Sequence, residues 1–253
     1  MDPSDPRQRA LFFEVHRGLP REAPGDPVST GRALALAQPL PAAPRVLDVG
    51  CGPGAQTLDL AALMPRAEIV AADLHVPYLT ELRRRAAAAG REQRISPVRA
   101  DMAALPFSNA AFDLIWCEGA AYIMGVPAAL AAWTPLLVPG GVLAVTDAVW
   151  LRADVPAEVR AFWRDYPGMT DLQGCRRHVA DAGLELIGDF VLPDRAWWDG
   201  YYAPMRARLG ELRKRHAGDA VAMSVLDECE QEIALFERHS DCYAYAFLVM
   251  RAR

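Results

Sequence analysis

Arg45-Val-Leu-Asp-Val-Gly-Cys-Gly-Pro-Gly-Ala-Gln-Thr-Leu-Asp-Leu60 is the stretch that decides the fold. Its residues 46–49 form a short apolar run with β-branched members, the pattern of a buried strand. Gly50, Gly52 and Gly54 follow at once and allow a sharp turn with close approach of the backbone to a ligand. Leu58, Ala61 and Ala62 then fall at helical spacing until Pro65. A strand, a glycine turn and a helix N-terminus make a nucleotide-binding corner. Asp48 lies inside the strand. A second acid, Asp73, ends the next apolar run at 69–72, about 20 residues downstream, where the ribose-binding acid of dinucleotide-type folds stands.

Outward from this corner the chain alternates. Strands are predicted at 45–49, 68–72, 95–99, 112–117 and 141–149, and helices at 55–63, 77–89 and 127–137. Such alternation describes a parallel sheet covered on both faces. Ligands of these sheets bind outside the carboxyl ends of the strands, where strand order reverses. The residues to watch are therefore Gly50 to Gly54, Asp73 and Leu74, Asp101 and Met102, Glu118 and Gly119, and Asp147. Upstream, residues 8–17 are predicted helical, the segment 18–27 is a loop by its Gly and Pro content, and Ser29 is placed to cap a second helix through Ala37. Residues 1–44 are thus expected to form a helical flank, either a lid over the ligand edge or plain packing.

The set Val-Leu-Asp-Val-Gly-Cys-Gly-Pro-Gly (46–54), Asp73, Asp101-Met102 before Leu-Pro-Phe, and Phe112-Asp-Leu-Ile115 resembles class I S-adenosylmethionine-dependent methyltransferases. Leu137-Val-Pro-Gly-Gly-Val-Leu-Ala-Val145, read as a turn feeding a core strand, is similar to the same family. The resemblance is firm over 45–150. It implies an α/β, Rossmann-like, doubly wound sheet of seven strands whose last strand runs antiparallel. Strands six and seven are then expected at 184–192 and 242–250, with helical insertions at about 151–182 and 194–239. It also implies S-adenosylmethionine as cofactor and S-adenosylhomocysteine as product. By the same resemblance Gly50, Gly52 and Gly54 hold the methionine part, Asp73 takes the ribose hydroxyls and Asp101 reads the adenine amine; Asp48, Cys51, Leu74 and Met102 beside them are further cofactor candidates, Met102 by packing on the base, and Glu118 is a candidate for the cofactor's ammonium. The remainder looks like the small-molecule branch of the family, a bacterial group similar to the type 11 and type 25 methyltransferases.

Methyl transfer from a sulfonium requires alignment of nucleophile, methyl and sulfur, so a dedicated base is optional. His16, Glu118 and Asp147 are the base candidates, His16 because histidine titrates near neutrality. His75 is expected beside the cofactor. Aromatic faces attract cations and exclude water. Tyr122, Trp150, Trp163, Tyr166, Trp197, Trp198, Tyr201 and Tyr202 are the candidate acceptor-facing rings, with Tyr122, just past the fourth strand, placed best.

Two other readings share the corner. Gly50-x-Gly52-x-x-Ala55 satisfies the looser dinucleotide fingerprint of an NAD(P)-dependent oxidoreductase, although Tyr-x-x-x-Lys is absent throughout. A non-catalytic cofactor-binding module would keep the corner without turnover. Composition narrows the field. The 253 residues, 52% hydrophobic and 23% charged, suit a soluble globular chain, and a net charge of −5 argues against a nucleic-acid partner. The Arg83-Arg84-Arg85 run reads as a solvated helix face. Lys214, the only lysine, sits in a charged run, a poor setting for Schiff-base chemistry. Five scattered cysteines, without C-x-x-C spacing, indicate no metal site and no disulfide framework. No signal pattern and no membrane-spanning stretch is read, so a cytoplasmic enzyme with a small-molecule substrate is expected. A helical lid with an exposed edge also allows a homodimer.

Overall fold

The computed structural model describes residues 5–253. A mixed sheet organises them: β1 (Arg45–Val49), β2 (Glu68–Asp73), β3 (Ile95–Arg99), β4 (Phe112–Cys117), β5 (Leu137–Trp150), β6 (Thr170–Asp171), β7 (Glu185–Val191) and β8 (Tyr243–Arg251). The main path runs β3-β2-β1-β4-β5-β8-β7, seven strands, and the two-residue β6 pairs with the far end of β5. All its neighbours are parallel except β8, which is antiparallel to both β5 and β7. The chain winds outward from β1 in one direction and from β4 in the other. The crevice of this reversal therefore opens above β1 and β4, beside the glycine turn.

Between the strands lie α3 (Ala55–Leu63), α4 (Val76–Ala88), α5 (Val126–Trp133), α6 (Ala157–Phe162) and α7 (Leu172–Asp181). They divide between two apolar layers, as right-handed crossovers demand. Leu60, Leu79 and Leu82 of α3 and α4 pack on one sheet face. Leu130 and Trp133 of α5 and Val179 of α7 pack on the other. The expected helix at 127–137 is shorter than its apolar pattern. Pro135 lies in a single 3₁₀ turn at Thr134–Leu136, and the chain enters β5 directly at Leu137. Pro139 to Gly141, read as a turn, lies within β5 where the register against β4 shifts between Phe112 and Leu114.

The flank consists of α1 (Pro6–His16) and α2 (Pro27–Leu36). Ser29 does not cap α2. The cap is Asp26, whose carboxylate accepts from the Ser29 N–H at 2.8 Å and from the Ser29 hydroxyl at 2.9 Å. The reason is local: Pro27 has no N–H and a φ already suited to the first helical position, so the helix starts three residues earlier than a cap at Ser29 suggests. After β7, α8 (Arg195–Trp197) continues through a π turn (Trp198–Tyr202) into α9 (Ala203–Arg215), and α10 (Ala220–His239) leads to β8. α1 packs on α9 and α10, which places the flank and the C-terminal helices together over the carboxyl edge of the sheet.

Candidate active site

The glycine corner is held from beneath. The N–H groups of Gly50 and Cys51 both donate to the Ala72 carbonyl, at 2.8 and 3.1 Å, which pins the end of β1 to the end of β2. Gly50 has φ +67°, and a Cβ on it would stand 2.5 Å from the Ala120 Cβ and 3.6 Å from the Met102 Cε. Gly54 has φ +89°, and its Cβ would stand 2.1 Å from the Leu82 Cδ1. Both positions demand glycine twice over, by backbone and by space.

Asp48 is sealed inside. Its carboxylate accepts the Thr57 hydroxyl at 2.5 Å and the Gln56 amide at 3.3 Å, tying β1 to the first turn of α3. Burial, opposed by those two donors, pushes its pKa up to about 7. It braces the corner from below. Cys51 is likewise buried, its Sγ toward the Gly52 carbonyl.

Asp73 accepts the Gly52 N–H on Oδ2 at 2.9 Å and the His75 N–H on Oδ1 at 2.8 Å. Each oxygen keeps a further lone pair. Burial raises its pKa against the effect of those hydrogen bonds. Leu74 beside it is 59% exposed, an apolar side chain left uncovered at the crevice. Asp101 is exposed and accepts the Ala103 N–H at 2.9 Å, while the Met102 carbonyl accepts Trp133 Nε1 at 2.9 Å and its side chain turns back to Gly50. The strand ends after β1, β2 and β3 thus contribute to one crevice. A group with a diol and a planar base bearing an amine fits these carboxylate acceptors and the apolar surfaces of Leu74 and Met102.

Glu118 is 6% exposed and engaged through both oxygens. Oε1 accepts Trp116 Nε1 at 2.8 Å and the Thr30 hydroxyl at 2.9 Å, and Oε2 accepts Arg21 Nη1 at 3.0 Å. The other arm of Arg21 reaches Asp59 Oδ2 at 2.5 Å. Asp59 is nevertheless raised to about 6, since burial and the nearby Glu118 charge outweigh the guanidinium. Glu22 follows Arg21 and lies over the loop, its Cγ 3.3 Å from where a Gly52 Cβ would be. Its Oε2 meets His16 Nδ1 at 2.9 Å and accepts the Tyr78 hydroxyl at 2.7 Å. His75 stacks on Phe13 of α1 with ring centres 3.8 Å apart. The flank is therefore latched onto the corner by Arg21, Glu22 and Phe13. Neither Arg21 nor Glu22 stood out in the sequence, because a Gly/Pro-rich loop carries no periodicity to mark its buried members, and Tyr78 of α4 was not singled out either.

The aromatic candidates separate. Tyr122 is 42% exposed and meets the edge of Tyr166, ring centres 5.8 Å apart. The Tyr166 hydroxyl donates to Asp147, 2.9 Å from Oδ1. Tyr201 and Tyr202 are buried below α1, and the Tyr202 hydroxyl donates to Glu232 Oε1 of α10 at 2.9 Å. Tyr245 is the ring nearest Gly119, its Cε2 3.7 Å from where that residue's Cβ would be. Trp197 is 2% exposed and stacked on Phe236 at 4.5 Å, part of the core. Trp163 lies edge-on to Tyr243, Trp198 lies edge-on to Tyr202 beside Arg206, and Trp150 ends β5 beneath Arg160. Glu232 and Tyr245 were not among the sequence candidates. Glu232 sits in an amphipathic helix, where an acid reads as a solvent-facing residue.

Residues 46–141 match the family model described as a methyltransferase domain. A protein of Enterobacter lignolyticus named malonyl-[acyl-carrier protein] O-methyltransferase is 35% identical over 167 residues, 65% of this chain and 61% of the relative. The chain thus spans less than two thirds of the length of that relative. Among solved structures, a Thiobacillus denitrificans protein, described as a SAM-dependent methyltransferase in complex with S-adenosylhomocysteine, superposes with TM-score 0.83 at 21% identity, covering all of both chains. YjhP of E. coli superposes with TM-score 0.83 at 20% identity over 98% of this chain and 100% of its own. Among the described residues, no helix is long and apolar enough to cross a membrane.

Proposed function

We propose that this chain, whose residues 46–141 match a methyltransferase domain, is a class I S-adenosylmethionine-dependent methyltransferase that binds its cofactor at the glycine corner and transfers the methyl group to a small-molecule acceptor in a recess beyond Gly119. The observation that carries this reading is the position of the turn 118–120. Ala120 touches Gly50 on one side, and Gly119 faces Tyr245 and Ala23 on the other. One turn thereby borders both the cofactor corner and the tyrosine-rich space under α1 and α10.

The cofactor, when bound, supplies a methyl group on a positively charged sulfur. The chain's own residues do the rest. Asp73 offers its remaining lone pairs to the ribose hydroxyls, with Leu74 beside it. Asp101 and Met102 serve the adenine, the first as hydrogen-bond acceptor and the second as a polarizable apolar surface. Glu118 has three donors already, so of its roughly four acceptor positions about one remains for the cofactor's ammonium. Holding the acceptor in line is worth up to roughly 7–11 kcal/mol of the barrier.

His16 is the proton acceptor in this reading. Its Nδ1 is engaged by Glu22, which fixes the ring and leaves Nε2 for the acceptor. Its position, buried beside Tyr201 with ring centres 6.1 Å apart, supports the role. The flank 5–44 then acts as the lid that excludes water.

The test is transfer of label from S-[methyl-³H]adenosylmethionine into a small-molecule extract. Label in an extracted product, with S-adenosylhomocysteine formed in equal amount, is expected. Cofactor binding without any transfer would overturn the catalytic reading in favour of a binding module.

A further inference from the structure

We propose that the methyl acceptor is a positively charged amine, received in the tyrosine-walled space by the carboxylates of Glu232 and Asp147. This deepens the transferase reading and rests on it.

The charge count in this space is one-sided. Glu232 comes from α10, Asp147 from β5 and His16 from α1. The Arg21 guanidinium is spent on Glu118 and Asp59, that of Arg238, which acts on Tyr243, pairs with Glu158, and Glu22 is spent on His16 and Tyr78. Glu232 receives one hydrogen bond among the described residues, from Tyr202 to Oε1, and it retains uncovered surface although it lies deep in the molecule. Asp147 is held by Tyr166, the partner of the half-exposed Tyr122. Register places Asp147 two residues beyond Val145, the last β4 partner, and opposite Ala246 of β8, and the Tyr245 phenol feels the charge of both acids.

A second observation points to a polar ligand independently of the acids. The Tyr243 hydroxyl is buried without a partner among the described residues, and its oxygen can accept from an ammonium. Buried polar atoms left unpaired are uncommon and ask for an explanation. Glu232 is also the acid whose charge is felt most by the phenols of Tyr122, Tyr201, Tyr202 and Tyr243. Burial raises the pKa of Glu232 itself, opposed by Tyr202 and His16, and burial takes Asp147 to about 7. Two acids under such a penalty are relieved by an incoming cation and strained further by an incoming anion. Aromatic faces add the same preference.

The chemistry closes. A protonated amine gives its proton to His16, its freed lone pair forms the new C–N bond, and the electrons of the broken C–S bond return to sulfur. The positive charge thereby passes from sulfonium to product ammonium, which the same two acids continue to face.

Calorimetry on the protein saturated with S-adenosylhomocysteine tests this with benzylamine, benzyl alcohol and benzoate, one skeleton in three charge states. Benzylamine is expected to bind at least about tenfold tighter than the alcohol, with no benzoate binding. Glu232→Gln, which keeps the Tyr202 contact, is expected to abolish that ratio while leaving S-adenosylhomocysteine affinity within about twofold. Equal or tighter binding of alcohol or benzoate overturns the proposal. If none of the three fits, cell metabolites separated into cationic, neutral and anionic pools are offered with labelled cofactor. Label accepted from the cationic pool supports the proposal, and label from either other pool overturns it. No acceptance from any pool, with S-adenosylhomocysteine still bound, overturns the transferase reading and the amine with it.

Discussion

The Asp73 carboxylate holds the Gly52 N–H at 2.9 Å, so the acid that ends β2 and the glycine loop after β1 are one rigid unit. The carboxylate is oriented before any ligand arrives, because the His75 N–H fixes its other oxygen. Preorganisation of this kind lowers the cost of binding. Asp73→Ala is therefore expected to weaken S-adenosylmethionine binding by about 1.5–3 kcal/mol, the range for charge-assisted hydrogen bonds. Isothermal titration of the folded variant checks it. An unchanged affinity would remove Asp73 from the site.

Gly54 and Gly90 separate two costs. Both have positive φ, but a Cβ at Gly90 meets nothing within 4 Å, whereas one at Gly54 runs into Leu82. Gly90→Ala is expected to lose about 1–2 kcal/mol from backbone strain alone. Gly54→Ala is expected to lose about 1–3 kcal/mol more from overpacking. Urea denaturation of the two variants gives the difference directly, and equal losses would show that the α3–α4 contact is soft.

Arg21 joins Glu118 and Asp59, with its own side chain and that of Glu118 nearly excluded from solvent. Arg21→Ala strands a buried carboxylate, so a loss of about 3–5 kcal/mol is expected. Arg21→Ala/Glu118→Gln should recover much of it. Chemical denaturation of both checks this, and a lone Arg21→Ala within about 0.5 kcal/mol of wild type would mean the latch is not formed in solution.

Asp147 has its folded pKa raised to about 7 by burial, against an unfolded value near 3.8. The folded state then binds the proton more tightly, so this residue's contribution to stability falls as pH rises from about 4 to about 7. Asp147→Asn carries no such titration. Its stability relative to wild type is expected to improve across that window, by a few kcal/mol at most. Thermal melts of both at half-unit pH intervals test the slope. A constant difference from pH 4 to 8 would show that Asp147 stays ionised.

Much of the architecture was legible because parallel strands buried on both faces write themselves as apolar runs, and glycine turns interrupt them. The 45–49, 95–99 and 112–117 strands stand where they were expected. Helix starts and stops were less legible. The cap at Asp26 depended on Pro27, and α5 gave way at Pro135, features of single residues inside a longer periodic pattern. At the crevice, Asp73, Met102 and Glu118 were found through their places just after strands. Arg21, Glu22 and Glu232 were hidden for a common reason: each is brought in by long-range packing of a flank or a C-terminal helix, which no local spacing encodes. Trp197, attractive as a pocket ring, turned out to be filling space against Phe236.

The central claim is that the corner made by Gly50 to Gly54 and Asp73 is a site for S-adenosylmethionine. Calorimetric titration with S-adenosylmethionine, S-adenosylhomocysteine and NADH tests it most directly. Micromolar binding of the first two and no heat from NADH is the expected result. Binding of NADH alone would contradict the account and make the same glycines part of an oxidoreductase.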